Sequence, residues 1–92
     1  MAAINGREIV LKEFTIKDLK AIRDAFTIDT EMGMWTVLSM TAFYKDDDSR
    51  AFDSPETIQG MPARFALTLT KLADDALKLN GMYKEEEAAP LH

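Results

Sequence analysis

Between Met32 and Tyr44 the chain runs for thirteen residues without a charge, and nine of them are apolar, interrupted only by Gly33, Thr36, Ser39 and Thr41. Asp29 and Thr30 stand just ahead as helix caps, with Glu31 favourably placed in the first turn against the positive end of the helix dipole. The spacing predicts a helix over about residues 30–44. At about 100° per residue, Met34, Trp35, Leu38 and Ala42 share one face, while Met32, Val37, Met40, Phe43 and Tyr44 fill the remaining arc. No face is left for water. Such a helix has to be covered on every side, and at roughly 20 Å it is too short to cross a bilayer of about 30 Å.

The cover has to come from the rest of a 92-residue chain. At the N-terminus, Asn5-Gly6 is a type I′ turn signal between Ala2–Ile4 and the β-rich Arg7–Leu11, which reads as a short hairpin, with a frayed arm as the alternative. Thr15, with Asp18 three residues on, makes a capping box for a helix over about 16–26, whose stripe is Ile16, Leu19, Ile22 and Phe26. Lys45 to Arg50 is a solvated turn, and Phe52 returns an aromatic to the core. Asp53 or Ser54 caps a short turn that carries Pro55 and Glu56 and closes at Gly60. Met61-Pro62 opens a last helix that runs to Asn80 and stops at Gly81. Its apolar arc is Phe65, Ala66, Leu69, Leu72, Ala73, Ala76, Leu77 and Leu79. Leu67 is out of place, lying among the charges between Lys71 and Asp74. The expected fold class is therefore mainly α, a small bundle of three to four helices with a possible N-terminal β-hairpin. One domain spans 1–83, followed by an acidic, disordered tail over 84–92.

Composition removes most kinds of chemistry. With 11 basic and 16 acidic residues the net charge is −5, and the bases do not cluster, which argues against a nucleic-acid or membrane partner. There is no cysteine, hence no disulfide, thiolate metal site or thiol nucleophile, in keeping with a reducing compartment. The start MAAINGREIV lacks a secretory pattern, so the expected location is the cytoplasm. The one histidine is His92, and Ser39, Ser49 and Ser54 have no base in view, so the expectation is a protein without catalytic activity or cofactor. The acidic turn fails as a calcium loop. Counting from Asp46 puts Arg50 at a ligand position, Ala51 in place of the glycine and Thr57 where a bidentate glutamate belongs. Starting at Lys45 recovers Glu56 and loses the first ligand.

What remains is binding. Methionine beside aromatic side chains suits an adaptable contact surface. Two flanking helices and a hairpin cover only part of the central one, so the expected protein-binding surface is the outward part of Met32, Trp35, Met40, Phe43 and Tyr44, with Leu67 as an accessory. Gly33 and Ser39 would permit a close helix approach there.

The order of features also carries a resemblance. An Asn-Gly turn before REIVLKEFTIKDLKAI, an apolar middle helix, then FYKDDDSRAFDSPETIQGMPARFALTLTKLADDALKLNG, resembles the small tail assembly chaperones of long-tailed bacteriophages. The likeness runs from Ile4 to Gly81 and is carried mostly by the second half. Gly60-Met61 departs from it, since such proteins tend to have a leucine before the proline, as does the methionine-rich second helix. The resemblance implies a non-catalytic, mainly helical protein that binds a tape measure protein during virion assembly, with tail tube subunits recruited by a longer frameshifted form. It implies a place in the host cytoplasm and absence from the finished particle, while the small size and the partly covered central helix lead to the expectation of a homo-oligomer. The alternatives are a head-tail or tail component that stays in the virion, and a small acidic regulatory protein.

Overall fold

A computed structural model describes residues 3–4 and 6–82. Its elements are, in chain order, strands β1 (Ala3–Ile4) and β2 (Arg7–Leu11), helices α1 (Ile16–Ile28) and α2 (Thr30–Thr41), strand β3 (Ala42–Tyr44), helix α3 (Pro55–Gln59), a 3₁₀ turn (Ala63–Phe65) and helix α4 (Ala66–Leu79). The fold is mostly helical, with a small antiparallel sheet in the order β1-β2-β3. The tail over 84–92 and Asn5 lie outside the described residues.

Local signals set most of the boundaries. Gly6 takes φ +79, the left-handed conformation that glycine adopts without strain, and Ile4 pairs with Arg7 across the turn. The Thr15 hydroxyl accepts from the Asp18 N–H at 3.3 Å, and the Asp18 carboxylate accepts from the Thr15 N–H at 3.2 Å. Asp29 ends α1 and caps α2 at once, its carboxylate accepting from the Met32 N–H at 2.7 Å, so no loop separates the two helices. Ser54 caps α3, with Pro55 at its first position. At the end of α4, Gly81 takes φ +72 while the Met82 and Gly81 N–H groups reach back to the carbonyls of Leu77 and Lys78, a Schellman stop.

Helix α2 is enclosed, as its composition demands. Trp35 and Leu38 belong to the larger core with Ile4, Ile9, Phe52, Ile58, Leu69 and Leu72, while Val37 packs on the other side with Ile22 of α1 and Ala76 of α4. Its buried hydroxyls stay within the helix. Those of Thr36, Ser39 and Thr41 donate to the carbonyls of Met32, Thr36 and Val37 at 2.7, 2.8 and 2.8 Å. Among the described residues no buried side-chain polar atom lacks a partner.

The structure corrects the sequence reading in four places. The second helix stops at Thr41, and Ala42–Tyr44 turns extended to pair with Ile9–Leu11 of β2, which makes the expected hairpin a three-stranded sheet. The last helix begins as a 3₁₀ turn, with Pro62 extended ahead of it. Ile16, assigned to the buried stripe of α1, is 87% exposed, and α1 packs through Ile22 and Ala25. Ala66 and Leu79, assigned to the apolar arc of α4, are both exposed.

Gly33 permits the close approach of α1 and α2, since a Cβ there would clash with the Phe26 ring. The contact is internal to the chain. Alanine gains about 1 kcal/mol of helix propensity, but overpacking of this kind costs about 1–3 kcal/mol, and displacing a whole ring is the larger effect. Gly33→Ala is therefore expected to lower the urea midpoint at unchanged slope.

Candidate functional site

Trp35, the expected centre of the exposed apolar surface, is buried, and Met32, Met40, Phe43 and Tyr44 around it are only partly exposed. Trp35 is 9% exposed, and what remains of its surface lines a shallow cleft of about 280 Å³ with Glu31, Ile58, Met61 and Pro62. Met32 is half-buried, and Met40 packs against the Ile22–Val37–Ala76 cluster. Phe43 and Tyr44 are half-buried on β3. Lys12 lies over the Phe43 ring at 4.4 Å and Arg7 over the Tyr44 ring at 3.7 Å. The cover missing from the sequence count comes from Phe52 and Ile58, at 2% and 3% exposure, and from the 3₁₀ turn with its flanking residues.

Leu67 alone of the six expected contact residues stands free in water, at 85% exposure. It forms the rim of a groove of about 800 Å³ between β2 and α4. Ala3, Ile9, Val10 and Leu11 line one wall and Leu67, Thr68, Lys71, Leu72 and Asp75 the other. The sheet accounts for the first wall. Described β1 pairs only with Arg7 and Glu8, so the far half of β2, Ile9 to Leu11, presents its other edge to α4. The second wall follows from the helical row Thr68, Leu72, Asp75, in which Leu72 is buried and Asp75 is bridged to Lys71 at 3.8 Å.

The walls are joined at one end. Just beyond β2, the Phe14 N–H donates to Asn80 Oδ1 at 2.9 Å. Asn80 Nδ2 in turn donates to the Ala76 carbonyl at 2.9 Å, which holds the amide fixed at the end of α4. The residues lining this groove are an apolar floor with one ion pair at the rim, an arrangement suited to holding an apolar segment.

The acidic turn after β3 is engaged in ion pairs with Arg7 and Lys12 at the two ends of β2. Arg7 forms a fork on Asp46, with Nε to Oδ2 at 3.0 Å and Nη2 to Oδ1 at 2.7 Å, and reaches Asp47 at 3.2 Å. Lys12 pairs with Asp48 at 2.6 Å, and the Ser49 hydroxyl and N–H both donate to Asp47. Asp48 sits at φ +61 in this turn. Hydrogen bonding from Arg7 holds the Asp46 carboxyl below its usual 3.8, and bonds from Ser49 do the same for Asp47. Arg7 is raised in return. No helix among the described residues is long and apolar enough to cross a membrane.

Two expectations follow. Trp35→Ala should cost about 3–5 kcal/mol in urea denaturation, a large part of what a domain this small possesses, whereas Leu67→Ser should stay within about 0.5 kcal/mol. The carboxyls of Asp46 and Asp47 bind fewer protons folded than unfolded, so their contribution is complete above the unfolded value near 3.8 and is lost as pH falls through the lower folded values. Urea midpoints measured from pH 6 to pH 2 should fall in that acid window, and the fall should be shallower in Arg7→Gln. Compared with known protein families, curated proteins and solved structures, the chain finds no match.

Proposed function

We propose that this chain is a non-catalytic assembly chaperone that holds apolar segments of a larger partner in the groove between β2 and α4. On this reading it works as the small tail assembly chaperones of long-tailed bacteriophages do. Its client is a tape measure protein, tail tube subunits join the complex, and the work is done by an oligomer in the host cytoplasm.

The observation that supports this reading most is Leu67, 85% exposed at the rim of an apolar groove on a chain of net charge −5. Apolar patches left open to water mark contact surfaces. A surplus of negative charge on the carrier keeps loaded complexes apart by mutual repulsion. The arrangement of caps, acidic turn and long terminal helix adds the phage context through the resemblance described above.

The test is coexpression with the tape measure protein of the same phage. The wild-type chain should keep that protein in the soluble fraction, and Leu67→Glu, with unchanged circular dichroism, should weaken the complex at least about tenfold, or roughly 1.4 kcal/mol. Mass spectrometry of purified virions should find the chain missing. Its presence there in many copies would instead make it a structural component, and client solubility independent of Leu67 would remove the groove from the reading.

A further inference from the structure

We infer that α4 pairs with the α4 of a second copy of this chain, antiparallel about a twofold axis level with Ala73. Leu67, Lys71, Asp75 and Leu79 follow one another at intervals of four along α4 and form a single row on its surface. All four are open to water: Leu67 and Leu79 are 85% and 48% exposed, and the side chains of Lys71 and Asp75 are 79% and 43% exposed. Rows at this spacing are the ridges that interlock in the commonest class of helix packing, at a crossing angle of about −50°.

The order of chemistry along the row selects the occupant. It runs apolar, positive, negative, apolar over about 18 Å. Turned end for end, it becomes its own complement. Leu67 then meets the partner's Leu79 and Lys71 meets the partner's Asp75, and symmetry supplies each contact twice. Sliding one helix by a turn destroys the match, because a centre at Lys71 or at Asp75 sets like charge against like. Within one chain Lys71 and Asp75 have each other at 3.8 Å, a loose pair in full contact with solvent. A second copy brings each an additional opposite charge beside an apolar contact, which an uncharged segment would not provide. Pairing covers Leu67, Lys71 and Asp75, which also line the groove, so a second copy and a client would compete for this face, and sedimentation of the chain alone reads the pairing with no client present.

Sedimentation of the full chain from about 1 µM to 1 mM at low salt tests this, with circular dichroism confirming that the exposed substitutions leave the helices intact. The wild type should pass from monomer to dimer as concentration rises. Lys71→Asp alone and Asp75→Lys alone should each weaken pairing about tenfold or more, because two symmetric contacts turn from attraction to repulsion. An equimolar mixture of these two variants should pair better than either by itself, and a chain carrying both substitutions should recover the wild-type behaviour. A monomer at every concentration, a dimer indifferent to Lys71→Asp, or a mixture no tighter than its components would overturn the inference.

Discussion

A helix with no face for water governs this fold. Once residues 32–41 are committed to α2, each neighbouring element is obliged to bring apolar surface to it, and the molecule is arranged accordingly. Helix α1 supplies Ile22, α4 supplies Leu69, Leu72 and Ala76, the sheet supplies Ile4 and Ile9, the loop after β3 supplies Phe52 and the short α3 supplies Ile58. The three hydroxyls buried with α2 do not disturb this, because each bonds to a carbonyl one turn earlier and asks nothing of its surroundings. Burying a polar group without such a partner would cost about 1–3 kcal/mol, a large share of the stability of a domain of this size.

Ends of elements were the most legible part of the chain, because they depend on one or two residues acting locally. Thr15 with Asp18, Asp29, Ser54 with Pro55, and Gly81 each do in the structure what their chemistry prescribes. The junction at Ala42 was not legible. An uncharged run of Thr-Ala-Phe-Tyr satisfies a buried helix and a buried strand equally well, and the choice between them was made by the open edge of β2, a partner more than thirty residues away.

The candidate site was legible only in the exposure of Leu67, whose position among charges on the helical wheel marked it as out of place. The reading of Trp35 failed for a physical reason. Counting helices underestimates cover, because a short turn with one aromatic and one isoleucine can seal as much of a core as a strand does, and neither Phe52 nor Ile58 belongs to a long periodic segment. The exposed apolar surface thus migrated from the centre of the fold to its last helix.

Asn80 gives the groove a mechanical character. Its amide ties the segment leaving β2 to the final turn of α4, so the two walls behave as tongs riveted near one end. Leu67, on the rim of the groove, lies thirteen residues before Asn80, about 20 Å away along the helical segment. A single side-chain amide thus couples the position of the last helix to that of the N-terminal sheet.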